Sequence, residues 1–126
     1  MKEFAAAEWM RAQRSLDSAR SLVQSDPDSA ASRAYYAAFH ALTAVLAQRG
    51  VSFSKHTEIR AVLHRDLIKA QLIALDCGRD YDFLMDLRET ADYGGVTQAT
   101  PANAALAVEK AERLVTQFRS LASSKD

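Results

Sequence analysis

Apolar residues recur every three or four positions along most of the chain, which is the spacing of one face of an α-helix. In the first such segment, about residues 2–24, they are Ala5, Trp9, Ala12, Leu16, Ala19 and Val23. The same spacing returns in about residues 27–49, from about 54 to 70, between Gly78 and Gly94, and from Pro101 onwards. No segment alternates convincingly with a period of two, so the pattern predicts five helices and no strand.

Prolines and glycines separate these segments. Each proline follows a good N-cap residue, in Asp26-Pro27 and Thr100-Pro101. Proline is tolerated at the first helical position because its missing N–H would have no partner there. The four glycines stand where we expect a helix to stop: Gly50, Gly78, Gly94 and Gly95. Short connections between long helices make neighbours antiparallel, so the sequence predicts an all-α, up-and-down bundle of about five helices.

The composition agrees with this fold and limits the number of domains and the cellular compartment that we expect. The chain has 24 Ala, the best helix former, against 16 residues of Val, Ile and Thr together. Its 126 residues fit one domain, 1–126, and the single Cys77 favours a reducing compartment. No apolar run approaches the roughly 18 residues of a membrane span, and the N-terminus lacks a signal-peptide layout. We therefore expect one cytoplasmic domain that does not bind a membrane.

Several kinds of chemistry lack their motifs here. The chain contains neither a glycine-rich phosphate loop nor H-E-x-x-H, Glu-x-x-His or a Cys/His cluster. Asp82 and Asp86, four residues apart, have the spacing to share a divalent cation, but a solvated surface pair is the more common arrangement. We expect no metal and no cofactor. With 16 basic and 16 acidic residues, any nucleic-acid binding depends on a local patch rather than on bulk charge.

One stripe of the second predicted helix carries candidate chemistry. At about 100° per residue, Arg33, Tyr36 and His40 fall within an arc of about 40°. A cation, a phenol and an imidazole on one side suit a groove that receives phosphates and bases. The alternative is a hydrogen-bond network between helices, with Tyr36 half buried. The core-facing side of this helix is a separate apolar stripe: Tyr35, Phe39, Leu42 and Leu46.

The start of the third predicted helix is basic. Ser54 and Thr57 are both candidate N-caps, and either choice places Lys55 or His56 near the first turn. A positive group there is unfavourable, because it meets the positive end of the helix dipole. Arg60 and His64 extend the line from His56 into a modest basic stripe, for which a solvated face is the alternative interpretation.

The fourth predicted helix ends in the sequence Leu-Arg-Glu-Thr-Ala-Asp-Tyr-Gly-Gly, residues 87–95. Arg88 and Asp92 are four residues apart and have the spacing of an ion pair, although in its weaker orientation. Tyr93 directly precedes two glycines that end the helix. We expect its phenol to be free to reach another helix or another chain.

Two segments resemble the HEPN family, specifically its short, stand-alone prokaryotic members. The first is Ser-Arg-Ala-Tyr-Tyr-Ala-Ala-Phe-His-Ala-Leu, residues 32–42, followed by Gly50 and then Lys55-His56. The second is Leu-Arg-Glu-Thr-Ala-Asp-Tyr-Gly, residues 87–94. The resemblance covers roughly residues 30–95. It implies an α-helical bundle that forms a homodimer with the fourth helix near the interface.

The resemblance also implies a type of activity. Many HEPN proteins are metal-independent ribonucleases whose motif is an arginine, four to six residues, and then a histidine. Arg88 matches the arginine, but Tyr93 stands where the histidine is expected, and residues 94–97 supply no imidazole. Cleavage of RNA by its 2′-hydroxyl needs a proton acceptor and a donor. A free tyrosine has a pKa near 10, so only about a thousandth is phenolate at neutral pH.

We therefore expect a HEPN-like protein that binds RNA or nucleotides, as part of a toxin–antitoxin module; whether it is also a ribonuclease is open. In this hypothesis Arg88 holds a phosphate and Tyr93 donates a hydrogen bond or acts as a weak acid or base. The expected accessory contacts are Arg33, Tyr36, Lys55 and His56.

Two alternatives remain. Stand-alone members of the family are often encoded beside a minimal nucleotidyltransferase, so the chain is alternatively an inactive partner of such an enzyme, with Tyr93 as the residue that it modifies. The other is a structural dimer in which Arg88, Asp92 and Tyr93 only hold the fourth helix in place.

Overall fold

Five α-helices contain most of the residues that the computed structural model describes, which are 2–51, 55–95 and 98–124. The helices are α1 (Lys2–Leu22), α2 (Pro27–Gln48), α3 (His56–Val62), α4 (Leu75–Tyr93) and α5 (Pro101–Ser123). A π-helical turn, Leu63–Ile68, continues α3 without a break. Within the described ranges there is no strand, which confirms the predicted all-α bundle. None of these helices combines the length and the apolar character needed to cross a bilayer.

The second helix is the centre of the bundle. It packs against α1, α4 and α5, and every residue from 41 to 47 is buried. Eight of its alanines are at most 1% exposed, namely Ala30, Ala31, Ala34, Ala37, Ala38, Ala41, Ala44 and Ala47. Small side chains allow the neighbouring helices to approach closely, and larger ones fill the remaining space. Leu42, Tyr81 and Phe118 are among the large side chains that are completely buried, each contributing about 1.5–3 kcal/mol relative to exposure.

Both predicted proline caps are confirmed. The Asp26 side chain accepts a hydrogen bond from the Ser29 backbone N–H at 3.2 Å, and Thr100 Oγ1 accepts one from Asn103 at 3.0 Å. Each cap satisfies a backbone donor that has no partner within its helix. Asp28 adds a tertiary tie, because its carboxylate accepts a 2.7 Å hydrogen bond from the Ala99 N–H. The segment before α5 is thereby fastened to the start of α2.

The prediction that Gly78 ends a helix is wrong. Helix α4 begins three residues earlier, at Leu75, and Gly78 is buried in its first turn. A Cβ added there would lie 2.8 Å from Cε1 of His64, so the glycine serves close packing against the π-helical turn rather than termination. Gly50 and Gly95 do follow helix ends, with φ of +80° and +63°, a conformation that favours glycine.

The third helix also differs from its prediction. It begins at His56 with Lys55 as N-cap, so Thr57 is not the cap, and Ser54 lies outside the described residues. The predicted regular helix to about residue 70 gives way to the π-helical turn. The wider turn changes the phase of the apolar face. Leu63 and Leu67 remain buried, but Ala70 is exposed.

Candidate functional site

The guanidinium of Arg88 lies among three tyrosine rings at the end of α4. Its central carbon is 5.6 Å from the centroid of Tyr35 and 5.5 Å from those of Tyr36 and Tyr93. Each distance is within the range of an attractive cation–π contact. The Arg88 side chain is 16% exposed. We call this group, with Asp92, the Arg88 cluster.

Hydrogen bonds from Arg88 go mainly to neutral groups. Its Nη2 donates to the Tyr36 hydroxyl at 3.0 Å and to the Tyr93 hydroxyl at 3.5 Å. Nε lies 3.0 Å from Oδ2 of Asp92, one helical turn away, which confirms the predicted ion pair. This contact lacks hydrogen-bond alignment, so Nε has no aligned acceptor in the part of the chain that the structure describes. Burial opposes the charged form, while the tyrosine oxygens and Asp92 favour it, and the balance raises the pKa of Arg88.

Two helices position these side chains. Tyr35 and Tyr36 are consecutive on α2 and therefore point about 100° apart, Tyr35 into the core and Tyr36 to its edge. Tyr35 is completely buried, whereas Tyr36 is half-buried. Tyr93 is the last residue of α4 and is 73% exposed, because the helix ends at Gly94 and nothing in the described part of the chain covers the ring. The cluster is closed towards the core and open towards solvent.

His56 joins the cluster from the start of α3. Its Nδ1 lies 2.6 Å from the Tyr35 hydroxyl, and its ring stacks on Phe39 at 4.2 Å between centroids and 8° between planes. Burial, Arg88 and His40 together lower the pKa of His56, so the imidazole is neutral at pH 7. Burial raises the pKa of Tyr35, which therefore remains a phenol. The sequence pattern assigned Tyr35 to the core only; a polar partner for its hydroxyl was invisible without the fold.

A surface groove of about 790 Å³ runs beside the cluster, between the start of α2 and the end of α4. Its size is that of pockets that hold small organic ligands. Arg33, Tyr36 and Tyr93 line it, together with Ser29, Ser32 and three aspartates, Asp26, Asp28 and Asp92. Two of these carboxylates are engaged in the fold, since Asp26 caps α2 and Asp28 accepts from the Ala99 N–H, and the third is paired with Arg88.

The predicted accessory residues are distributed unevenly. Tyr36 and His56 contact the cluster and Arg33 lines its groove. Lys55 is exposed, and within the described residues no hydrogen bond or ion pair connects it to the cluster. His40, predicted on the same stripe as Arg33 and Tyr36, places its Nδ1 2.9 Å from Oε2 of the buried Glu8 on α1. His40 therefore faces α1 rather than the groove, and among the described residues this contact lacks the alignment of a hydrogen bond.

The basic stripe of α3 is largely neutralised. Arg60 Nε and His64 Nε2 each lie 2.9 Å from Oδ1 of Asp82. The Asp82 side chain is 33% exposed and Asp86 is exposed, so the two carboxylates lie at the surface, in agreement with the more common arrangement. Among the described residues no group of three or more metal-ligating side chains occurs.

The chain is similar to known proteins over most of its length. The HEPN domain model matches residues 6–121. A UPF0332 protein of Thermotoga maritima is 34% identical over 103 residues, which are 81% of this chain and 78% of that protein. Each match covers most of the chain, including α2 and α4, the two helices that carry the tyrosines of the Arg88 cluster.

Proposed function

The chain belongs to the HEPN domain family, and from this membership and the geometry at Arg88 we propose that it binds RNA through the phosphodiester backbone. The observation that carries the proposal is the guanidinium held at the open end of α4, with neutral tyrosines as its main hydrogen-bond partners. The groove beside Arg88 offers aromatic and polar surface to the nucleoside attached to a phosphate bound there.

The chemistry of Arg88 favours a phosphate as ligand. A guanidinium has five N–H donors in a planar fork that matches two phosphate oxygens. Phenol oxygens are weaker acceptors than a phosphate, which can therefore displace the long 3.5 Å bond to Tyr93. The exposed Tyr93 ring is suited to stacking under a base, an interaction worth about 1–3 kcal/mol. Arg33 in the groove supplies a second cation.

Arg88→Ala tests this proposal directly. We expect its affinity for a labelled, structured RNA, measured in EDTA, to fall by about 10–100-fold, the effect of losing one charge-assisted hydrogen-bonding group. The matched control is Arg65→Ala, since Arg65 is an exposed arginine paired with Asp66 on the π-helical turn. We expect the control to stay within about twofold of the wild type. Equal affinities for Arg88→Ala and wild type would contradict the proposal.

A second candidate function rests on the exposure of Tyr93. Its hydroxyl, on a ring that is 73% exposed, is accessible to an enzyme, and stand-alone relatives are often encoded beside a minimal nucleotidyltransferase. In this candidate the phenol oxygen attacks the α-phosphorus of a nucleoside triphosphate, its proton passes to a base of that enzyme, and pyrophosphate leaves. The chain then acts as the substrate and partner of that enzyme in a toxin–antitoxin module, as a homodimer.

Intact-mass measurement separates the two candidates. Incubation with a cognate nucleotidyltransferase, ATP and Mg²⁺ is expected to add one nucleotidyl group to the wild type and none to Tyr93→Phe. Tyr36→Phe is the control, because that phenol is half-buried and bonded to Arg88. An unchanged mass of the wild type would contradict this second candidate and leave RNA binding untouched.

A further inference from the structure

We propose that the groove beside Arg88 selects guanine, with Arg33 donating to O6 and N7 of the base and Asp28 accepting from its N1–H and N2–H groups. The proposal rests on the RNA binding proposed above and names the base that the site recognises. Its basis is the distribution of charge along the groove. The groove adjoins a guanidinium at one end and has a carboxylate at the start of α2 at the other.

The groove follows α2 from Tyr36 to the first turn of the helix. Tyr36 marks the Arg88 end, since its hydroxyl accepts from Arg88 at 3.0 Å, and Asp28 lies in the first turn. Eight residues of helix separate the two, which is about 12 Å along the axis. This exceeds the Debye length of about 8 Å at physiological ionic strength, so the Asp28 carboxylate does little to repel a phosphate on Arg88. The distance is comparable with the length of one extended nucleotide.

The Asp28 carboxylate is fixed in position and keeps acceptor capacity. Its Oδ1 accepts a 2.7 Å hydrogen bond from the N–H of Ala99, which is buried. An ionised carboxylate has about four lone-pair sites, and within the described part of the chain no other hydrogen bond or ion pair uses this one. Both oxygens of Asp26 accept from Ser29, and Asp92 is in an ion pair. Among the described residues, Asp28 is therefore the groove carboxylate with the most acceptor capacity left.

Arg33 supplies the complementary donors. It is exposed and lines the same groove, and no ion pair engages it in the ranges that the structure describes. A guanidinium matches the O6 and N7 acceptors of guanine in a bidentate contact, which is the most frequent specific contact of arginine with a base. Tyr36 and the exposed Tyr93 offer rings on which a base can stack. The groove thus presents donors, acceptors and aromatic faces to one base.

Guanine is the base whose edges fit this set. It carries the acceptors O6 and N7 on one edge and two neighbouring donors, N1–H and N2–H, on another. Adenine has an amino group where guanine has O6, so it would turn a donor towards Arg33. Cytosine offers an amine to Asp28 but no N7 to Arg33, and uracil has a single N–H for a carboxylate. These edges are accessible in single-stranded RNA, where the bases are unpaired.

Binding of short labelled RNA oligomers tests the choice of base without any variant. Single-stranded oligouridine is compared, in EDTA, with the same oligomer carrying one central guanosine, inosine or adenosine. We expect guanosine to bind about tenfold more tightly than adenosine, the effect of one good bidentate pair. Inosine keeps O6, N7 and N1–H but lacks the N2 amino group, so we expect its affinity to lie between the two.

Asp28→Asn tests the carboxylate at nearly constant shape. Its side-chain oxygen can still accept from the Ala99 N–H, while an amide donor replaces the other oxygen and meets the donors of guanine. We expect about a tenfold loss of affinity for the guanosine oligomer and a change within twofold for the adenosine oligomer. Asp86→Asn is the matched control, because it removes the same charge from an exposed residue of α4 outside the groove. We expect all its affinities to stay within twofold of the wild type.

Arg33→Gln tests the donor side independently. Because the Arg33 side chain is exposed, this variant leaves the packing of the bundle unchanged and stays informative even if Asp28→Asn is poorly folded. We expect the preference for guanosine over adenosine to fall to within about threefold, since the bidentate contact to O6 and N7 is lost.

Each outcome bears on one of the two proposals. Equal affinities for the guanosine, inosine and adenosine oligomers, all lost together in Arg88→Ala, would overturn the selection of guanine and leave RNA binding in place. A wild type that binds none of the oligomers overturns both. A preference for another base, or a guanosine preference that persists in both Asp28→Asn and Arg33→Gln, contradicts the role of these two residues.

Discussion

Helix α4 carries two partly buried charged groups, one near each end, and they are built in opposite ways. Near its start, Asp80 is 7% exposed and lies 2.9 Å from Lys110 Nζ and 3.3 Å from Arg113 Nη2. Both cations come from α5. Near its end, the partners of Arg88 within the described ranges are one carboxylate, Asp92, on its own helix, and the hydroxyls of Tyr36 and Tyr93.

The difference separates a structural ion pair from a candidate binding site. The Asp80 carboxylate is paired with two cations from another helix, so this group holds α4 against α5. A binding site needs partners that a ligand can displace. The hydroxyls around Arg88 satisfy its donors less strongly than a phosphate would, and its one carboxylate makes no contribution to packing between helices.

The largest expected effect is on stability. If it is not observed, the proposed difference between Asp80 and Arg88 is wrong. Asp80→Ala removes the carboxylate from Lys110, a mostly buried cation, and leaves it only the cation–π contact with Phe83 among the described residues. We expect a loss of about 3 kcal/mol in the free energy of unfolding, the lower end for breaking a buried ion pair. Arg88→Ala is expected to cost less, about 1–2 kcal/mol, since it removes an ion pair within one helix, a hydrogen bond to Tyr36 and cation–π contacts at a site that is open to solvent.

Urea unfolding of the two variants and the wild type gives this comparison. Arg113→Ala is the control for Asp80→Ala, because it removes the more exposed of the two cations and leaves the carboxylate paired with Lys110. Equal losses for Asp80→Ala and Arg88→Ala would mean that both groups are structural.

An intermediate effect is expected on RNA affinity, and it tests the ion pair between Arg88 and Asp92. Asp92→Asn removes the only carboxylate paired with Arg88 among the described residues. We expect RNA affinity to rise by about two- to fivefold, or about 0.4–1 kcal/mol, because the guanidinium no longer has to leave an ion pair. Titration of labelled RNA measures this.

Glu89→Gln is the matched control for that measurement. It removes one negative charge from the exposed residue next to Arg88 without changing the ion pair. A smaller rise for Glu89→Gln attributes the effect to the ion pair itself. If the RNA affinity of both variants rises equally, the affinity depends on net charge and not on the geometry at Arg88.

The smallest expected effect is a dependence of stability on pH. Burial lowers the pKa of His40, although Glu8 opposes this, and burial with Arg88 lowers that of His56. The unfolded chain, with histidines near pKa 6.5, therefore binds protons before the folded one does. Stability from these two residues is complete above about pH 6.5 and is lost as the pH falls below it.

Thermal unfolding at pH 7.5 and pH 5.5 measures this difference. We expect a lower Tm at pH 5.5, and His40→Gln to reduce the change. Asp26 and Asp66 do not interfere, because hydrogen bonds from Ser29 and Arg65 lower the pKa of these carboxylates and they lose their charge only at more acid pH. A higher Tm at pH 5.5 would instead show that the ion pair between His40 and Glu8 dominates.

Much of the fold could be predicted from the sequence, because it depends on residues that are close together in the chain. Helix positions, the two proline caps and the buried faces depend on periodicity and on residues within one turn of each other. The pairing of Arg88 with Asp92 and the exposure of Tyr93 beside its glycines depend on the same short distances. These features were predictable because no other helix is needed to create them.

What the tertiary structure alone decided are the contacts between residues far apart in the chain. Gly78 lies inside α4 with His64 packed against it, His40 contacts Glu8 on α1, and His56 contacts Tyr35 on α2. A helical period determines the direction in which a side chain points on its own helix, and not what another helix places opposite it. The sequence thus determined a helical bundle with an arginine and an exposed tyrosine near the end of α4, and only packing decided that Tyr35 and Tyr36 lie against Arg88 and that His56 contacts Tyr35.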